Sequence, residues 1–271
     1  MKSTKQSKIK QQVAHSSGFH LFVEFLKREL KNRYLGSTAG VFWVFAHPVI
    51  ILLIYSFVFS VIFRIRSTDF GGVGFLPFVA VGLWPWLAFS EALQRSVTSV
   101  ESSASLIKKI KFPHEILVFS SVIAVYLIHL LGLLLVFGAL TLMGHNLHLI
   151  MLPIFLLYFL LQMIMSIGIG FMFSSFQVFL KDVSQIVNSV MMFLFYLTPI
   201  LYSITLVPER YRDYYQINPL AFLIGRYREL MLAGEWNPQP MDLIAVIASI
   251  LVFVIGYQLF KRCSRRFEEF I

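Results

Sequence analysis

The sequence predicts an all-α integral membrane protein with six transmembrane helices. It adds an N-terminal amphipathic interface helix and two short re-entrant helices between spans five and six. Three observations predict it. Of 271 residues, 58% are hydrophobic and only 14% charged, where a soluble domain carries about a quarter charged residues. Apolar runs of roughly 20 residues, enough to cross the hydrocarbon core, occur six times, at about 40–63, 74–95, 116–143, 149–176, 184–204 and 242–261. Lysine and arginine also divide unevenly between alternate loops. Seventeen of the 23 fall on one side: eight before the first run, then Arg95, Lys108, Lys109, Lys111, Lys181, Lys261, Arg262, Arg265 and Arg266. Arg64, Arg66, Arg210, Arg212, Arg226 and Arg228 fall on the other. The positive-inside rule then places both termini in the cytoplasm.

The net charge of +9 is not a nucleic-acid signal, because the basic residues sit between apolar blocks rather than on one patch. A single cysteine, Cys263, excludes an intrachain disulfide. Residues 1–18 are polar and basic and lead into no short apolar core with a small-residue cleavage site, so a cleaved signal peptide is not expected.

Two regions follow: a cytoplasmic tail with an interface helix over 1–37 and a transmembrane domain over 38–265. In the tail, residues 19–35 repeat apolar side chains at Phe19, Phe22, Leu26 and Leu30, with Lys27, Arg28, Lys31 and Arg33 interspersed. This pattern suits a basic amphipathic helix in the headgroup layer. Lys31 and Arg33 are candidates for meeting an anionic headgroup at the entrance of a path. Spans three and four, parted only by residues 144–148, form a hairpin. The loop after span two, VTSVESSASLIKKIKFPHE, has room for one short helix stopped before Pro113. Its Lys108, Lys109 and Lys111 suit either solvent or a docked partner.

Span five, SQIVNSVMMFLFYLTPILYSI, is two-sided when its residues are placed 100° apart. Ser184, Asn188, Met191, Phe195, Thr198 and Tyr202 form one stripe, and Ile186, Val190, Phe193, Leu197, Ile200 and Ile204 the opposite, wholly apolar face. The stripe suits packing against neighbouring helices or a wetter path through Asn188, Phe195, Thr198 and Tyr202. Beyond it, Pro208-Glu209 starts a short helix, and Asn218-Pro219 caps a second that Gly234 stops. Both are expected to dip back toward the membrane.

Chemistry is conspicuous by its absence. No glycine is followed by lysine, which excludes a Gly-Lys-Ser/Thr phosphate loop, and no loop is long enough for a nucleotide-binding domain. No catalytic triad, paired acids or metal-ligand spacing stands out, so neither catalysis, a metal nor a cofactor is expected in this chain. Glu91 with Arg95 one turn on, and His129, are the ionisable groups an ion-coupled carrier would use. The plainer readings are a tied-off ion pair at the interface for the first two and a hydrogen-bonded helix contact for His129.

The motifs RELKNRYLGSTAGVFWVFAHP (28–48), LIKKIKFPHEIL (106–117), VFLKDVSQIV (178–187) and NPLAFLIGRYRELML (218–232), in this order and spacing, resemble the type-2 ABC permeases that export O-antigen, capsular polysaccharide and teichoic acid. Lys181-Asp182 departs from the Arg-Asp more usual there, keeping charge but losing bidentate bonding. The resemblance implies a homodimer bound to two copies of a separate ATPase that carries ATP and Mg. It also implies a glycan substrate on a polyprenyl-pyrophosphate or other lipid anchor in the inner membrane. It assigns ATPase coupling to Lys108, Lys109 and Lys111, the outer gate to Tyr211, Tyr215, Arg226 and Tyr227, and the span-five stripe to the path. A permease for drugs or unlinked lipids is the near alternative, and an ion-coupled secondary transporter the distant one.

Overall fold

The computed structural model describes residues 18–32, 40–62, 70 and 72–271; Arg33 lies outside them. Every regular element among the described residues is a helix. In chain order the α-helices are α1 (Gly18–Asn32), α2 (Gly40–Phe57) with a π-helical continuation Val58–Ile62, α3 (Phe75–Thr98), α4 (Ala104–Ile107), α5 (Glu115–Leu142), α6 (Leu152–Phe179), α7 (Val183–Leu197), α8 (Glu209–Ile217), α9 (Pro219–Arg228) with a π-helical continuation Glu229–Ala233, α10 (Pro240–Cys263) and α11 (Phe267–Phe270).

Four helices among the described residues are long and apolar enough to cross a membrane: those of α3, α5, α6 and α10. They match the second, third, fourth and sixth expected runs to within a few residues. The fifth expected run is corrected. Its helix ends at Leu197, with Thr198 already extended, so at about 1.5 Å per residue its 15 residues reach only about 22 Å. Pro199 is the cause. Its ring disfavours helical backbone at the residue before it, so Thr198 takes φ −102° and ψ 132°. The helical wheel therefore stops applying at 197. Ile200, expected on the outward apolar face, is fully buried, and Thr198 is buried too.

α3 is the hub, sheathed by α5, α6, α7 and α9. Pro85 sits inside it, and Gln162 of α6 donates to the Pro85 carbonyl at 2.9 Å. Tyr227 of α9 donates in turn to Gln162 Oε1 at 2.6 Å, so a buried polar chain ties α9 through α6 to α3. Such groups persist in an apolar interior only when paired. By contrast α10 turns Leu243, Ile244, Ile247, Leu251 and Ile255 outward, the surface a helix presents to lipid.

The α6–α10 seam is built from glycine. A Cβ on Gly256 would lie 2.1 Å from the Gly168 carbonyl oxygen, and one on Gly168 2.6 Å from the Phe253 backbone. Small residues let helix backbones approach this closely in membranes. Gly256→Val must therefore move backbone, and we expect it to cost about 3 kcal/mol, the upper end for overpacking. Thermal unfolding of the detergent-solubilised protein checks this. Gly138→Val, where an added Cβ meets open space, should leave the midpoint unchanged.

Candidate functional site

A groove of about 320 Å³ runs between α2, α3 and α7, lined among others by Tyr55, Trp86, Ser90, Gln94, Asn188 and Phe195. The Tyr55 and Phe195 rings stack at 6.3 Å, and Trp86 meets Phe195 at 5.8 Å. Asn188 and Gln94 are exposed along it. Of the four residues expected on a path, the structure brings Asn188 and Phe195 here. Reading the sequence missed the α3 wall. Trp86, Ser90 and Gln94 recur every fourth residue, one face of a helix, and that spacing carried the signal.

Thr198 and Tyr202 belong to a different place, the end of the bundle formed by α8 and α9. Asn218 caps α9 in the expected way, its Oδ1 accepting from Leu220 N–H at 3.0 Å, while its amide donates to Thr198 Oγ1 at 3.1 Å. Tyr202 and Tyr215 share a hydroxyl–hydroxyl bond of 3.0 Å. Gly234 stops the helix as expected, in the left-handed region at φ 72°. A second cavity of about 560 Å³ opens here, lined by Phe78, Ser203, Arg212, Tyr215, Arg228 and Gln239, among others.

Arg228 organises this end. Its guanidinium donates to the carbonyls of Pro199 and Ile200, both at 2.6 Å, and of Phe78 at 3.2 Å, and it lies 3.5 Å over the Phe78 ring. Carbonyls left bare where a helix ends need donors, and Arg228 supplies them to the chain that leaves α7. Gly82 of α3 makes the room, since a Cβ there would meet Arg228 Nη2 at 2.9 Å.

The residues expected at an outer gate divide. Tyr211 is exposed and Tyr215 half-buried, whereas Arg226 and Tyr227 are turned into the protein. Arg226 donates to both oxygens of Asp242, to Glu229 and to the Asn237 carbonyl, and Tyr158 also donates to Asp242, at 2.7 Å. Arg226 and Tyr227 thus fasten α9 to α10 and α6.

At the opposite end lie α1, α4 and the termini of α5, α6 and α10. The expected short helix is present as a 3₁₀ turn, Glu101–Ser103, and α4. Lys108, Lys109 and Lys111 follow it, all exposed. This segment is anchored from behind: Phe25 of α1 stacks on Phe112 at 5.3 Å, and Arg28 donates to Ser103 Oγ at 3.3 Å. His114 continues the aromatic row to Phe267, and burial holds its imidazole below the ordinary value. Lys261 pairs with Glu115 at 2.5 Å, closing α10 onto α5. The inward face of α1 runs through Phe25, whereas Phe19 is largely exposed. Lys31 is exposed at the end of α1.

The ionisable groups of the bundle are joined. Glu91 accepts from Arg95 Nε at 2.8 Å and lies 2.9 Å from His129 Nε2, so both earlier readings, tied-off pair and helix contact, describe one cluster. Among the described residues no group of His, Cys, Asp and Glu could hold a metal ion.

Residues 20–232 match the model of the ABC-2 type transporter family. The chain is 30% identical over 253 residues to an O-antigen export system permease protein RfbA of Klebsiella pneumoniae, covering 93% of this chain and 95% of that one. A protein of the same name from Myxococcus xanthus is 26% identical over 257 residues, with the same coverage. Polysialic acid transport protein KpsM of Escherichia coli is 23% identical over 240 residues, covering 86% and 90%. With a family match over most of its length and a relative this similar along nearly all of it, the chain belongs to the ABC-2 type transporters, as a membrane-spanning permease.

Proposed function

We propose that the chain is the permease subunit of an ATP-driven exporter that moves a lipid-linked, O-antigen-like polysaccharide across the inner membrane. The observation that carries this reading is the α2–α3–α7 groove, where the aromatic planes of Tyr55, Trp86 and Phe195 stand beside the amides of Gln94 and Asn188. Sugar rings present apolar C–H faces to aromatic planes, which also shed water well, and hydroxyls to amides. The names of the relatives point the same way. Exposed apolar flanks on α2 (Leu53, Phe57) and α7 (Met192, Phe193) suit a second copy that closes the groove into a conduit.

Six passes follow if α2, 18 residues with five more of π-helix, and α7 with its extended tail each cross. α8 and α9 then dip back at the outer mouth, with Tyr211 and Tyr215 at the accessible edge of a gate. Both termini lie in the cytoplasm. Energy comes from two copies of a separate ATPase holding ATP and Mg, docked on Lys108, Lys109 and Lys111. Lys31 stands where an anionic lipid headgroup would approach.

Deleting the gene should abolish surface glycan, and the wild-type chain should restore it. Reversing Lys108, Lys109 and Lys111 together to glutamate should cut recovery of the ATPase with the permease at least tenfold and leave glycan inside. Normal surface glycan without this chain would end the reading.

A further inference from the structure

Taking the chain as an ATP-driven permease, we infer that Gln177 is a positioning residue that locks the ATPase-facing 99–114 segment to α7, the wall of the groove. Its side chain is 3% exposed and joins three elements. Nε2 donates to Glu101 Oε2 at 2.8 Å and to the Lys181 carbonyl at 3.0 Å. Oε1 accepts from the backbone N–H of Ser184 at 2.7 Å.

Ser184 is in the first turn of α7, where backbone N–H groups lack helical partners. The residue at the N-cap, Asp182, makes no side-chain cap bond, so the cap comes from Gln177 on the preceding helix. Glu101, in the 3₁₀ turn just before α4, holds that amide from the other side. A displacement of the turn at Glu101 therefore acts on the start of α7 through one side chain. Only Val183, Val187 and Met191 of α7 are buried, so its packing is thin, and the bonds at its two ends carry much of its placement.

The residue type is demanded by the geometry. The site needs a donor toward Glu101 and the Lys181 carbonyl and an acceptor toward Ser184 N–H. A primary amide supplies both, while a carboxylate lacks the donor and an ammonium the acceptor. Neighbouring Lys181 and Asp182 are exposed, so the lock lies directly beneath the surface that a docked ATPase would press.

The test uses the permease with its ATPase in proteoliposomes, reading hydrolysis and glycan translocated per ATP. Gln177→Glu sets two carboxylates face to face. Hydrolysis should stay within about twofold of wild type while glycan moved per ATP falls at least tenfold, an effect that simple loss of protein would not give. In the Glu101→Gln/Gln177→Glu double variant the new amide donates to the new carboxylate, which still accepts from Ser184 N–H. The Lys181 carbonyl stays without its donor, so translocation per ATP should recover in part, to at least threefold above Gln177→Glu, the signature of a coupled pair. Should Gln177→Glu fail to accumulate, Gln177→Leu, uncharged and of similar size, carries the same uncoupling expectation. Unchanged translocation per ATP in the single variants, or no recovery in the double, overturns the lock. A wild-type chain that neither binds the ATPase nor moves glycan would instead overturn the permease reading.

Discussion

Asp242→Ala should lower the unfolding midpoint of the detergent-solubilised protein by roughly 6–10 °C, the equivalent of about 3 kcal/mol. Asp242 lies in the first turn of α10 and accepts from Arg226, from Tyr158 and from the backbone N–H of Gln239, the last at 2.7 Å. The alanine removes a bidentate partner from a guanidinium that is 3% exposed and opens a capping box at the same stroke. Breaking one side of a buried pair leaves the other charge dehydrated and uncompensated, which costs more than the pair contributes when intact. The figure sits at the low end of the usual range because Glu229 still contacts Arg226. Removing both partners, as Arg226→Met/Asp242→Leu, should therefore be milder than the single change. A double variant as unstable as Asp242→Ala would show that the cap and Tyr158, not the charge pair, dominate.

That cluster marks where the sequence stopped being legible. Arg226 and Tyr227 follow a proline-capped helix start at Asn218-Pro219, and their helix was readable from local chemistry alone, as was its stop at Gly234. Which way each side chain faced was not, because their partners Asp242 and Gln162 lie 16 and 65 residues away. Burial depends on those distant helices. The long helices α3, α5, α6 and α10 were legible for the opposite reason: apolar length is a local property and sets its own limits. In span five a local rule was present but applied to the wrong feature. Pro199 ends the helix at Leu197, so the 100° spacing brings Asn188 and Phe195 to one groove but fails for Thr198 and Tyr202 on the stripe and for Ile200 on the opposite face. A Gln beneath a loop, or a Gly pair at a seam, has no periodic signature at all. Gln177, Gly168 and Gly256 become visible only once α6, α7 and α10 are packed.

The largest functional effect is expected from filling the groove. Ser90 is small, half-buried and set between Trp86 and Gln94 on one face of α3. Ser90→Trp should reduce glycan export at least tenfold while ATPase binding persists, because the bulk enters the groove and not the α3 core. Trimming the wall should act differently. Trp86→Ala and Phe195→Ala each remove an aromatic surface worth about 1 kcal/mol to a stacked ring beyond its area, or roughly fivefold in transport of a dilute substrate. Changes on the outward side, such as Ile186→Leu or Val190→Ile, should do little, since loosely packed positions tolerate similar volumes. Accessibility supplies the decisive contrast. With Cys263 replaced, single cysteines at Ser90 and Asn188 should react with a water-soluble thiol reagent, faster while the ATPase turns over, and modification should block export. Cysteines at Ile244 and Ile247, exposed on the outer face of α10, should stay unreactive in the bilayer. Equal reaction at all four positions, or export undisturbed by Ser90→Trp, would mean that the groove is a crease between packed helices and that the glycan passes elsewhere.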